Sequence, residues 1–226
     1  MAATLANALR PVIVLSLGAA ALLAALALPV IRVLYERGNW NATDTAATAG
    51  ALLFFSLAIP LWGAQQLYAR AFYARRQMWT PVIVGTLATI AAIPLYWGLL
   101  EAFDVSGLAL ASTLALAIYT VVLAVLWHRS TGWEYLGRIL TSTRRALPIA
   151  VLGGLAAWVV SELVLTASSS ALGALIAALA GTATFGATVL LAVAAVEWIS
   201  GLGAHEHGAE GTEDELDKAL AAHEAE

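Results

Sequence analysis

Apolar residues run in long blocks along this chain, and polar residues gather at the breaks between them. The blocks are Leu9–Tyr35, Asp44–Tyr73, Pro81–Leu100, Gly107–Trp127, Ala146–Thr166 and Ala171–Ile199. Each is long enough, as a helix, to cross the hydrocarbon of a bilayer, which takes about 20 residues for about 30 Å. The pattern therefore predicts an all-α polytopic membrane protein with six transmembrane helices. A signal peptide competes for the first block, with Arg10 as its basic region and Ala25-Leu26-Ala27 as a cleavage-like site. The apolar stretch continues through Val30, Ile31, Val33 and Leu34, beyond the roughly 7–15 residues of a signal core, so a spanning helix is favoured.

The breaks organise the blocks. After the turn Glu36–Asn41, Thr43-Asp44 looks like a helix start. The second helix is longer than a straight crossing needs. Pro60, near its middle, removes the hydrogen bond to the carbonyl of Ser56 and predicts a helix bend. That freed carbonyl needs a partner in lipid, so this face is expected to look toward protein or a watery cavity, with Gln65 and Gln66 on the same side. The third helix opens at Pro81, with Pro94 and Trp97 near its far end, and an acidic loop, Glu101–Ser106, follows it. The fourth is rich in Ala, Ser and Thr, which let helices approach closely. Over Thr131–Arg145, Trp133, Leu136, Ile139 and Leu140 recur at helical spacing among Glu134, Arg138, Arg144 and Arg145. An interfacial helix fits that pattern, and so does a solvated linker. Gly153-Gly154, Gly181 and Gly186 suggest tight packing of the last pair, where Glu162 and Glu197 lie near helix ends and can snorkel. The expected division is four helices over 1–129, a linker over 130–145, two helices over 146–200 and an acidic tail over 201–226.

Charge sharpens this picture. The chain of 226 residues is 61% hydrophobic and 12% charged, about half the roughly 25% of a soluble domain. Its formal net charge of −4 misleads, because the acids crowd into the tail and the membrane part is basic. In Trp62–Pro81, the arginines Arg70, Arg75 and Arg76 are flanked by Tyr68, Phe72, Tyr73 and Trp79, which marks a membrane–water crossing. With six crossings, Arg10, Arg70, Arg75, Arg76, Arg129, Arg138, Arg144 and Arg145 fall on one side, and only Arg32 and Arg37 opposite. That side, holding both termini, is expected to be cytoplasmic. No ionisable residue lies deep in a span, so no catalytic residue is assigned and the chain is not expected to be an enzyme. The absence of cysteine leaves the redox compartment unread and excludes thiol chemistry and cysteine-type zinc sites. His205, His207 and His223 read as solvated tail residues rather than metal ligands, so no metal and no cofactor is expected. Thr212-Glu213-Asp214-Glu215, with Leu216 and Leu220, has the form of a capped short helix. Without a Gly-rich phosphate loop or a basic-aromatic platform outside the membrane flanks, no nucleic acid partner is expected.

A series of landmarks then carries a resemblance. Leu34-Tyr35-Glu36-Arg37-Gly38-Asn39-Trp40, Thr43-Asp44-Thr45, Ala69-Arg70-Ala71-Phe72-Tyr73-Ala74-Arg75 with Thr80-Pro81, and Gly107-Leu108-Ala109-Leu110-Ala111-Ser112 occur in order. Together they resemble the MurJ/MviN family, lipid II flippases of the polysaccharide-exporter superfamily with fourteen helices in two lobes. Order and spacing match over Arg10–Arg129; the last two helices match by position and character. The resemblance covers helices nine to fourteen. It implies that the first four helices complete the C-lobe and that the final pair forms a groove for a lipid tail. The family's arginine-lined cavity draws mainly on earlier helices, so none of its residues transfers. Gln66 stands where a lysine is common, and Arg76-Gln77-Met78-Trp79 replaces a more usual Gly-Asp-Thr-Arg turn. The candidate substrate-binding residues in this chain are Gln65, Gln66 and Arg70. Arg75, Arg76, Arg138, Arg144 and Arg145 would face cytoplasmic headgroups. Implied partners are membrane lipid, the polyprenyl-linked precursor and the missing N-terminal helices, in the same or a separate chain, in a bacterial inner membrane. A non-transporting lipid-binding scaffold and an exporter of another polyprenyl-linked glycan stay open beside the flippase reading.

Overall fold

A computed structural model describes residues 2–36, 38–167, 170 and 172–193, and among these every regular element is helical. Helix α1 spans Ala2–Ala25 and α2 spans Ala27–Tyr35. The break between them falls at Leu26, whose φ of −100° and ψ of 10° leave the helical region. Pro29, three residues on, explains it: its ring crowds the carbonyl four residues back and it has no N–H to offer. Hydrogen bonds from Leu26 N to Leu22 O and from Val30 N to Leu26 O keep the two helices in series. The first apolar block is thus one interrupted crossing.

Helix α3 spans Ala42–Ala74, starting slightly before the expected Thr43-Asp44. Asn41 is its cap: the side-chain carbonyl accepts from Thr43 N at 2.8 Å and Asp44 N at 3.0 Å, while the Asp44 carboxylate accepts from Asn41 N at 3.2 Å. The turn before it is knotted by side chains. Trp40 Nε1 donates to Thr45 Oγ1, Thr45 Oγ1 reaches Glu36 Oε2, and Arg32 Nε donates to the same oxygen at 3.0 Å. The helical backbone of α3 continues through Pro60.

Helix α4 spans Trp79–Thr131, 53 residues, which at 1.5 Å per residue would reach about 80 Å if straight. It is not straight. Phe103 and Asp104 leave helical geometry, Asp104 with φ +50°, and the two arms fold back on one another. Tyr96 Oη donates to Ser112 Oγ at 3.1 Å, and Tyr119 Oη donates to the Pro81 carbonyl at 3.0 Å. A straight helix would hold those pairs tens of ångströms apart. The two expected helices, third and fourth, are therefore the arms of this hairpin. Gly107 allows the tight return, because a Cβ there would strike the backbone carbonyl of Leu99.

Helix α5 spans Leu136–Ala167, and α6 spans Leu172–Val193. Residues 136–145, read from sequence as part of a linker, are the first turns of α5. Five helices have the length and apolar character to cross a membrane, and the hairpin of α4 supplies two crossings, so the described chain crosses six times. By contact density the chain divides into two units, Met1–Gly186 and Ala187–Glu226. Within the first, α1 packs against α3 and α5, and α3 against α4. Close approach of α6 to α5 depends on Gly181, where a Cβ would lie 3.1 Å from the carbonyl of Ala157 and 2.6 Å from Leu26 Cδ2. The tail, with its histidines, Glu197 and the expected capped helix, lies outside the described residues.

Candidate functional site

Long-range contacts gather the arginine-bearing helix ends into one region. The start of α1, the end of α3, the end of α4 and the start of α5 share a core of Leu5, Leu9, Tyr68, Phe72, Trp127 and Ile139. Around it Arg10 Nε donates to Ser142 Oγ at 2.8 Å, joining α1 to α5. Arg75 Nη1 donates to Ser130 Oγ at 2.9 Å, and its guanidinium lies 5.4 Å from the Trp127 ring centroid, joining α3 to α4. Phe72 meets the same indole edge-on. Beneath these, Tyr68 Oη and His128 Nε2 are 3.2 Å apart, and His128 Nδ1 lies 3.3 Å from the Gly132 carbonyl. A histidine donating through Nδ1 and accepting through Nε2 satisfies both contacts while neutral, and Trp133 stacks on its ring.

The arginines expected to face headgroups divide into two groups. Arg76, Arg138, Arg144 and Arg145 are exposed. Arg75 is half-buried and held by Ser130 and Trp127. Arg138 lies 5.8 Å from the ring centroid of Tyr135. Arg76 closes the turn after α3 with φ +58°, while its N–H donates to Tyr73 O and that of Gln77 to Phe72 O.

Gln65 and Gln66 do not share a face. Neighbours on a helix point about 100° apart, and here Gln65 is half-buried while Gln66 is exposed. Gln66 instead lines up with Arg70, four residues on, in an exposed stripe of α3 that also carries Trp62 and Tyr73. None of Gln65, Gln66 and Arg70 hydrogen-bonds to another described side chain. Pro60 is half-buried, and hydroxyls of α4 grip α3 on either side of it: Thr113 Oγ1 donates to Phe54 O at 3.0 Å and Thr120 Oγ1 to Leu61 O at 3.3 Å. A neighbouring helix thus bonds the carbonyls of Phe54 and Leu61 on the two sides of the proline, and neither is the Ser56 carbonyl that Pro60 frees. Sequence reasoning passed over Thr113, Thr120, His128 and Ser130, and read Tyr68 only as an interfacial aromatic, because their partners lie about 60 positions away or carry no periodic signal.

Two cavities are each lined by three of these helices. One, of about 520 Å³, is a largely apolar groove between α1, α3 and α5, lined among others by Leu17, Ala24, Leu57, Leu147, Val151 and Trp158; of the final pair expected to form a groove, only α5 lines it. The other, of about 260 Å³, lies at the arginine-rich end between α1, α3 and Trp127, with Arg70 on its wall. Among the described residues there is no cluster of side chains able to hold a metal ion.

Residues 1–195 match the family model described as "Lipid II flippase MurJ". A stretch of 92 residues is 32% identical to the "Lipid II flippase MurJ" of Thermosipho africanus (strain TCF52B), covering 40% of this chain and 19% of that protein. A stretch of 91 residues is 41% identical to the "Probable lipid II flippase MurJ" of Chlamydia muridarum (strain MoPn / Nigg), covering 40% of this chain and 17% of that one. The matched stretches are thus under a fifth of the length of these relatives. The solved structure "Lipid II flippase MurJ, inward closed conformation" superposes with a TM-score of 0.59 at 23% identity, over 81% of this chain and 37% of that one, a likeness of fold.

Proposed function

We propose, since this chain belongs to the lipid II flippase MurJ family, that it is the part of a lipid-linked precursor flippase that seats the polyprenyl tail and anchors one side of the transport path. The observation that carries this reading is the apolar groove of about 520 Å³ between α1, α3 and α5. A polyprenyl chain is recognised only by apolar area, and this groove offers aliphatic side chains and one tryptophan with no polar side chain among them. Its headgroup partners would be the exposed face of α3, with Gln66 and Arg70 in one stripe and Gln65 behind it. Arg76, Arg138, Arg144 and Arg145 would collect anionic headgroups on the cytoplasmic side, with Arg75 holding α3 to α4 rather than binding lipid.

Transport itself needs more than these elements. An anionic, sugar-bearing headgroup must be shielded across about 30 Å of hydrocarbon, and an unpaired charge at depth is costly. The described spans hold no deep cation, and alternating access requires a second lobe to rock against. The missing partner in this reading is the set of helices that precede the matched region in the family, carried by the same or a separate chain. Residues 1–226 reconstituted alone in liposomes with labelled lipid II should bind the lipid and leave it in its original leaflet; adding the preceding helices should restore translocation. Translocation by the chain alone, above protein-free liposomes, overturns this division of labour. Ala24→Trp, which fills the groove, should weaken binding of a polyprenyl phosphate several-fold, and unchanged binding would remove the groove from the reading.

A further inference from the structure

The smaller cavity at the arginine-rich end has a chemistry distinct from the apolar groove. Its wall is formed by Thr4, Leu5 and Ala8 of α1, by Leu67, Arg70, Ala71 and Ala74 of α3, and by Trp127 of α4, around about 260 Å³. Two donors on this wall are unspent. The guanidinium of Arg70 is exposed and meets no described acceptor. Trp127 is only 1% exposed, yet its indole N–H has no acceptor among the described residues and is not sealed from solvent. A buried indole N–H ordinarily finds a partner. Trp127 lines the cavity, and its N–H is the second donor a ligand there could meet.

The surroundings fix the sign of the ligand. Among the described residues this end carries Arg10, Arg70, Arg75, Arg76, Arg129, Arg138, Arg144 and Arg145 against the single acid Glu134. The cavity wall itself has no carboxylate and, beyond the two donors and the Thr4 hydroxyl, presents aliphatic surface and indole. It combines a site for an anionic oxygen with an apolar shelf, at the depth where helices leave the membrane. Its volume admits a phosphate with its glycerol and the first carbons of a chain.

We propose that this cavity is a binding site for an anionic glycerophospholipid of the surrounding leaflet. Its phosphate is held between the Arg70 guanidinium and the Trp127 indole N–H, and its glycerol and proximal chain lie on Leu5, Leu67 and Ala71. Such a lipid joins α1 to α3 and holds Arg70 whenever a precursor headgroup does not. Arg75, stacked on the same indole, packs against the ring that carries the donor.

The test uses the whole 226-residue chain in detergent, titrated with short-chain phosphatidylglycerol or with phosphatidylcholine of the same chains, and read by native mass spectrometry. Phosphatidylglycerol should bind about tenfold more tightly, the equivalent of about 1.4 kcal/mol. Arg70→Ala should bring the two lipids level, Arg70→Lys should retain part of the preference, and Trp127→Phe should reduce it while keeping the ring. Arg129→Ala, an exposed cation at the same end, should leave the preference intact. Equal losses in Arg70→Ala and Arg129→Ala would mean diffuse surface charge and overturn the site. So would equal binding of the two lipids by the unaltered chain. Displacement of phosphatidylglycerol by glycerol 3-phosphate at the same concentration would show that the apolar shelf contributes nothing, and would overturn the assignment to a lipid.

Discussion

Arg75 illustrates how a residue's type fails to fix its role. An arginine beside a membrane interface has headgroups, water and neighbouring rings all within reach, and here its Nη1 is 2.9 Å from Ser130 Oγ with the Trp127 face beneath it. A charge-assisted hydrogen bond contributes about 1.5–3 kcal/mol, and a cation–π contact about 0.5–2 kcal/mol by exposure. For a half-buried pair the lower ends apply, so Arg75→Ala should destabilise the fold by about 2 kcal/mol in unfolding titrations in mixed micelles. Ser130→Ala should cost roughly half as much, and a double-mutant cycle should show the two coupled; independent effects would dissolve the strap. Tyr68→Phe removes the hydroxyl opposite His128 Nε2, leaving a buried acceptor unmet, and should lower stability by about 1–3 kcal/mol. At Arg76 the left-handed backbone costs an L-residue about 1–2 kcal/mol, so Arg76→Gly should be neutral or stabilising in the same assay.

At the scale of elements, the decisive feature is the hairpin of α4. Its arms are both apolar enough to span, and their return depends on backbone approach at Gly107 as much as on the polar residues of the loop. Gly107→Val should therefore disrupt the hairpin and sharply lower the yield of folded protein, whereas Gly98→Val, where a Cβ meets open space, should not. The second arm is tied to α3 by hydroxyls reaching past the side chains to backbone carbonyls, Thr113 to Phe54 and Thr120 to Leu61. Interhelical hydrogen bonds of this kind average about 0.6 kcal/mol in membranes. Thr113→Val and Thr120→Val should each cost about that much by micelle unfolding. A much larger loss would show that the bonds hold α3 in shape around Pro60 rather than simply adding two contacts.

For the molecule as a whole, the question is which end faces the cytoplasm. With six crossings, the one-sided arginines predict Gln77 inside and Asp104 outside. The sequence has no cysteine, so single substitutions give unambiguous labels. A cysteine at Asp104 should react with an impermeant thiol reagent added to intact cells, and one at Gln77 only after lysis. The reverse pattern would turn the arginine-rich end outward and remove the cytoplasmic headgroup role proposed for it.

Hydropathy by itself determined the fold class, the six crossings and the arginine asymmetry, because a bilayer imposes a length and a polarity on each crossing that can be read residue by residue. The landmarks around Glu36–Trp40, Arg70–Arg75 and Gly107–Ser112 also placed the chain in its family, since short motifs survive as strings. Local rules were less exact where tertiary forces act. The interruption at Leu26 follows from Pro29, while the merging of residues 136–145 into α5 and the separate faces of Gln65 and Gln66 follow from helix continuity and its turn per residue. Only the tertiary structure decided which arginines are free: Arg70 and Arg75 differ by five positions, and a serine 55 residues downstream engages one and leaves the other open. It alone also formed the two cavities, because each is enclosed by at least three helices whose side chains are neighbours in space and strangers in sequence.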